Sequence, residues 1–200
     1  MAQSDKDVCI QISPRGLNCM LTKYSIHAIA SSISTPKVDM HGYLVYNSSQ
    51  LRMSLDLRLN VNEVRFAALN RPLEAWDLTR FACEPPLHKL KLWNPYYPWL
   101  IEVVSGNPVG ITLHELFLAI WNSMMTPIAH EDYYNVEMNE TIRSQIAMAF
   151  NQRVGMASEE RSIGVRRVDF LMDKVHLLGF EIKGKDSSVW EMKIKKITTN

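Results

Sequence analysis

The sequence predicts an α+β domain: an antiparallel-rich β-sheet with two main α-helices packed on one face. Three observations carry this. Leu51, Met53, Leu55, Leu57 and Leu59 alternate with polar residues, the period of a half-buried strand. Thr112 and Glu115 form a T-x-x-E capping box. Leu113, Leu116, Phe117, Ile120 and Met124 then follow at helical spacing.

Taken in order, residues 1–7 are polar and expected to fray. Val8, Ile10 and Ile12 alternate as a short strand, and 17–33 leans towards strand or irregular structure. A strand over 41–46, the turn Asn47-Ser48-Ser49 and the leucine strand over 51–59 predict a hairpin. Residues 60–86 are rich in turn formers, and Trp76 within them is expected to anchor against the sheet. Strands over 87–93 and 99–104 flank Asn94-Pro95-Tyr96-Tyr97-Pro98 and form a second hairpin. The capped helix runs to about Met125, with Pro127 behind it. A second helix is expected from Glu140 to Arg153, with Asn139 as its cap and Gly155 as its stop. Residues 156–164 read as an exposed loop, 165–171 and 175–182 as strands, and 189–197 as a last strand carrying alternating Lys. The order strand–strand–helix–helix–strand–strand is compatible with a β-grasp-like core.

Residues 1–200 fit one domain, and a chain of 200 residues can bury a sizeable core unaided. Hydrophobic residues make 46% and charged residues 22% of the chain, as in globular proteins. A net charge of +1 gives no reason to expect a polyanionic partner. The first residues lack an apolar signal-peptide region, and no run is long enough to span a membrane. Cys9, Cys19 and Cys83 lack C-x-x-C spacing and read as free thiols, which points to a cytoplasmic protein.

From about Val38 to Ile197 the chain resembles a family of small intracellular fungal proteins, abundant in mushrooms and known only as a domain of unknown function. The likeness rests on His41 with Leu44, Trp76-Asp77-Leu78, Ala82-x-x-Pro85-Pro86, Pro98-Trp99 with Ile101 and Val103, and Ile111-Thr112. It continues through Ala149-Phe150 with Arg153, Gly164 to Leu171, Gly179 and Trp190. Residues 1–37 fall outside it, and the segment between Leu59 and Trp76 is longer than the family's. The resemblance implies fold and compartment and supplies no activity.

The chemistry is sparse. Walker, dinucleotide-binding, G-x-S-x-G and H-E-x-x-H patterns are absent, and no cofactor or metal site is expected. His130-Glu131-Asp132 is compact, but adjacent residues seldom converge on one ion. Arg153, Arg166, Arg167 and Asp169 form the candidate polar cluster. Asp169 stands between Val168 and Phe170, where a buried carboxylate needs an arginine. The cluster is either an ion pair fixing helix to sheet or an anion-binding or acid–base site. Trp93, Tyr96, Tyr97 and Trp99 are candidates for a partner surface, or they cap the core. Lys193 and Lys195 share a strand face, but near-neutrality and the protective role of lysine on strand edges argue against nucleic acid. Two functions are expected from this. The favoured one is a non-enzymatic interaction module for a protein partner or a second copy of the chain. The alternative is a small-molecule-binding protein or enzyme with a pocket between sheet and helices.

Overall fold

The computed structural model describes residues 37–134, 138–155, 158–184 and 186–196. The strands expected over 8–12 and 17–33, together with Cys9 and Cys19, lie outside these residues. The described strands are β1 (Asp39–Met40), β2 (Met53–Asp56), β3 (Arg65–Phe66), β4 (Cys83–Glu84), β5 (Lys89–Asn94), β6 (Tyr97–Val104), β7 (His176–Ile182) and β8 (Val189–Lys195). The helices are α1 (Leu113–Met125), α2 (His130–Tyr133), α3 (Glu140–Val154) and α4 (Ser158–Ile163). Three 3-10 turns complete the set: η1 (Val61–Glu63), η2 (Ala75–Thr79) and η3 (Arg167–Leu171).

Six strands form one sheet in the order β3-β2-β7-β8-β5-β6, and β1 pairs with β4 in a separate two-stranded sheet. All pairings in the large sheet are antiparallel except β5 with β8. The stretch β6-β5-β8-β7 has two hairpins joined by helices and a parallel central pair, the ββαββ arrangement expected of a β-grasp-like core.

One face of this sheet is dry because α1 lies on it. Leu90, Leu92, Ile101, Val103, Phe180, Trp190 and Met192 from the strands meet Leu116, Phe117, Ile120 and Met124 from the helix. The capping box forms as expected: Thr112 Oγ1 accepts from the Glu115 amide at 3.2 Å, and Glu115 Oε2 accepts from the Thr112 amide at 2.8 Å. Asn139 caps α3 by accepting the Ile142 amide at 2.9 Å, and Gly155 ends it at φ 51°. A second cluster of Met138, Ile142, Ile146 and Phe170 packs α3 onto η3. Trp99 joins the two clusters, with its ring 4.8 Å from that of Phe170.

Three expectations are corrected. The hairpin of 41–46 with 51–59 does not form. Val45 bridges Phe180 in parallel instead, and β2 pairs with β3 and β7. The leucine alternation specified a buried face and left the strand's neighbours open. Gly179 makes the alternative possible: at φ 144° it lets the backbone of Leu44 and Tyr46 pass where a Cβ would stand 2.8 Å from the Leu44 carbonyl oxygen. Second, residues 165–171 are no strand; η3 occupies 167–171, because the Asp169 carboxylate folds back onto the Arg166 amide at 2.9 Å. Third, the expected loop over 156–164 contains α4.

Candidate functional site

The structure brings Arg153, Arg166 and Asp169 together and sends Arg167 elsewhere. Arg153, in the last turn of α3, donates through Nε and Nη2 to the two oxygens of Asp169 at 2.8 and 2.9 Å. This is the bidentate fork that arginine forms best. Both side chains are almost completely enclosed, 6% exposed for Arg153 and 2% for Asp169. Burial works against the charge on Arg153, but the Asp169 and Glu160 carboxylates outweigh it and raise its pKa. Glu160 on α4 bridges the two guanidiniums, at 3.1 Å from Arg153 Nη1 and 2.9 Å from Arg166 Nη2. Arg166 also points Nη1 at the Met125 sulfur, 3.1 Å away at the end of α1. The cluster thus ties α1, α3, α4 and η3 at one point. Its hydrogen-bonding capacity is spent largely within the protein, which suits a fastening better than a reacting centre.

Arg167 stands instead against the β6 aromatics. Its guanidinium lies 4.9 Å from the Trp99 ring centre. Tyr97 is beside it, with its hydroxyl 2.9 Å from Ser123 Oγ. Burial pushes the Tyr97 phenol up to about 12 despite its Ser123 and Arg167 neighbours, so it stays protonated over the ordinary pH range. Tyr97 is buried, and Trp99 and Tyr96 are half-buried against the core. Trp93 stands between buried Leu92 and Asn94 and so belongs to the other face, near the Lys183 ammonium at 5.9 Å. The four aromatics therefore do not share one surface. His130, Glu131 and Asp132 lie on or near the exposed face of α2, and no metal-ligating group of three occurs among the described residues.

A second arrangement was not foreseen. In η2, Asp77 is fully buried and caps the turn by accepting the Glu74 amide at 3.0 Å. Arg71 grips both its oxygens at 2.8 Å. That hydrogen-bonded pair holds the Asp77 carboxyl below the usual carboxylate range. With Arg71 fixed in this way, its guanidinium lies 4.5 Å from the Trp76 ring centre. Arg80 approaches the same ring at 5.6 Å and the Tyr43 ring at 5.5 Å. Trp76 is not an anchor against the sheet: it is 50% exposed, and its indole N–H donates to Glu74 at 2.6 Å. The inner side of η2 is taken by Asp77 and Leu78, and Trp76 lies on its outer side. Tyr43 stacks on Phe66 at 4.7 Å, and His41 lies edge-on to Tyr43 at 4.6 Å. Burial and the Arg80 charge lower the His41 pKa, so the ring is neutral at pH 7.

Shallow grooves flank this patch. One of about 280 Å³ is lined by Arg65, Phe66, Arg71 and Leu73 among others, and one of about 360 Å³ by Gly42, Tyr43, Leu51 and Arg52 among others. Arg80 forms no close salt bridge among the described residues, although its charge acts on the Asp77 carboxylate. A sequence signal for η2 did exist: Asp77 follows Glu74 at capping-box spacing, as Asp169 follows Arg166. The unusual caps, Glu and Arg in place of Ser or Thr, hid it.

No helix among the described residues is long and apolar enough to cross a membrane. No curated protein and no solved structure matches the chain. A family match covers residues 53–188, a narrower span than the resemblance over 38–197, and it includes η2, α1, α3, η3 and β7. Since that match takes in well over half of its length, the chain belongs to the family of unknown function DUF6699.

Proposed function

We propose that this protein is a non-enzymatic, intracellular interaction module that holds an acidic segment of a partner protein against Trp76. The observation that carries this reading is an exposed tryptophan with two guanidiniums over its ring, one of them locked by a buried aspartate. Tryptophan and arginine dominate the energetics of interfaces, and a side chain already held in place loses little entropy on binding. Arg71 and Arg80 lie over the ring, and Arg65 and Arg52 line the neighbouring grooves, so an acidic partner is the complementary one. The cytoplasmic setting rests on three cysteines without C-x-x-C spacing, and the fungal source on the family resemblance.

The test is fluorescence anisotropy with a labelled poly-glutamate peptide carrying one tyrosine. Binding should weaken about tenfold in Trp76→Ala and in Arg80→Glu, the loss of roughly 1.4 kcal/mol. It should also weaken with added salt. Equal binding by wild type and both variants, or equal binding of a poly-lysine peptide, would refute the proposal.

A further inference from the structure

Arg167 is the member of the charged quartet that the Asp169 fastening leaves out. It is half-buried, and a guanidinium drawn from water needs acceptors in place of the water it loses. The other half-buried arginines among the described residues have them. Arg58, Arg71, Arg153 and Arg166 pair with carboxylates, and Arg52 and Arg143 donate to the Gly42 and Met138 carbonyls. Arg167 forms no ion pair among the described residues, and its Nε is buried without a hydrogen-bond partner.

Its surroundings hold the group without neutralising it. The guanidinium carbon lies over the Trp99 ring, 4.9 Å from its centre, which orients the group without using its N–H donors. The guanidinium also acts on the Tyr97 phenol, opposing the effect of burial there, so the two are neighbours. The Tyr97 hydroxyl shares its hydrogen bond with Ser123 Oγ at 2.9 Å. That bond uses one of the two hydroxyl protons, and whichever group donates, the other keeps its proton for a third partner. Asp169 and Glu160, the acids of the neighbouring fastening, are already held by Arg153 and Arg166.

The geometry points to a carboxylate-binding site at Arg167, where the guanidinium forks the carboxylate of a small molecule and the Tyr97–Ser123 hydroxyl pair donates to it. Two parallel N–H groups match the two oxygens of a carboxylate. With Nε enclosed, the fork is the end-on one, from Nη1 and Nη2. A single cation balances the charge of a carboxylate and leaves a phosphate dianion partly uncompensated. Access favours a small ligand: Tyr97 is buried, and Arg167, Ser123 and Trp99 are half-buried, so a slim end group reaches them where a folded surface does not. The site is independent of the Trp76 reading, since η2 contributes no residue to it.

The full chain, labelled with nitrogen-15, is titrated with sodium benzoate. Benzamide serves as the uncharged control of the same shape, and inorganic phosphate as the competing oxyanion. Benzoate should shift the Trp99 indole N–H, the Arg167 side-chain N–H and the Ser123 amide in a saturable way. Benzamide should leave them in place, and phosphate should bind more weakly than benzoate. Arg167→Gln should weaken benzoate at least about tenfold, as loss of a charge-assisted pair does. Ser123→Ala truncates a half-buried hydroxyl, keeps a good helix former, and should weaken benzoate about threefold. If Arg167→Gln does not fold, Ser123→Ala and the benzamide comparison decide the matter. Trp76→Ala should bind benzoate as the wild type does, so failure here and failure of the Trp76 reading are separate results. The inference is overturned by an absence of saturable shifts at roughly 50 mM benzoate, a bound well above useful affinity. It is equally overturned by benzamide or phosphate binding as tightly as benzoate, or by wild-type binding in both Arg167→Gln and Ser123→Ala.

Discussion

Asp77 and Asp169 hold equivalent places in two different 3-10 turns. Each is buried, each accepts the backbone amide three residues before it, and each is forked by an arginine from outside the turn. The outcome differs by what stands next to the aspartate. Just before Asp169 stands Val168, which is buried in the core; just before Asp77 stands Trp76, which faces water. One device therefore serves as a fastening in η3 and as a mount for an exposed ring in η2.

Arg153→Ala should destabilise the fold by about 3–5 kcal/mol, because it leaves Asp169 charged, buried and without its fork. Asp169→Asn should cost less, since the amide oxygen can still accept one bond. Denaturant titration of both variants measures this. A purely catalytic or ligand-binding role predicts unchanged midpoints.

Stability should fall as the solution is acidified through the ordinary carboxylate range. Asp77 titrates below that range in the folded chain because of Arg71. Its contribution is present above the unfolded value of about 3.9 and is lost as pH falls towards the folded value. Glu115 and Glu191 act in the same direction: burial alone would raise them, but the Thr112 and Gly106 amides outweigh it for Glu115, and Lys183 and Lys193 for Glu191. Thermal melts across this range should show a shallower acid limb for Asp77→Asn than for the wild type.

Tyr97 makes the opposite prediction at high pH. Its phenol titrates at about 12 when folded, above the unfolded value near 10. The stability it contributes is complete below 10 and is lost as pH rises towards 12. Tyr97→Phe should remove that loss, which melts at two alkaline pH values would detect.

Gly179→Ala should be among the most damaging small substitutions. The added methyl meets the Leu44 carbonyl at 2.8 Å and the Tyr46 backbone at 2.9 Å, in a region of φ that alanine avoids. Strain of this kind costs about 1–3 kcal/mol before the clash is counted. Amide exchange should show the Tyr46–Phe180 bond, 2.9 Å in the wild type, opening first.

Thr112→Ala removes one side of the α1 capping box and should cost about 1 kcal/mol, visible as a lower denaturation midpoint with unchanged slope.

How far the sequence could be read depended on whether a feature was local. α1 was legible from its cap to its last turn, because Thr112, Glu115 and the apolar stripe lie within a few turns of one another. The β5–β6 hairpin was legible because its strands flank a short proline-marked turn. The run 165–171 misled because Val165, Val168, Phe170 and Leu171 are apolar at spacings a strand also uses. The Asp169 back-bond that turns it into η3 shows only weakly in the residue types. The hairpin of 41–46 with 51–59 failed for another reason: period two records which side is dry, and that holds whichever strand lies alongside. In the polar cluster, Arg153 and Asp169 were named and do meet, while Glu160, Arg71 and the exposure of Trp76 depend on contacts between separated segments.

The sequence by itself determined the α+β class, the capped helix, the second hairpin and the faces its strands bury, because capping, turning and alternation act over a few residues. Only the tertiary structure decided which arginine forks which aspartate, that Trp76 rather than the β5–β6 aromatics stands in water, and that β6 ends the strand order among the described residues. Those outcomes require segments far apart in the chain to meet, and the residues at each end carry no record of which partner they will find.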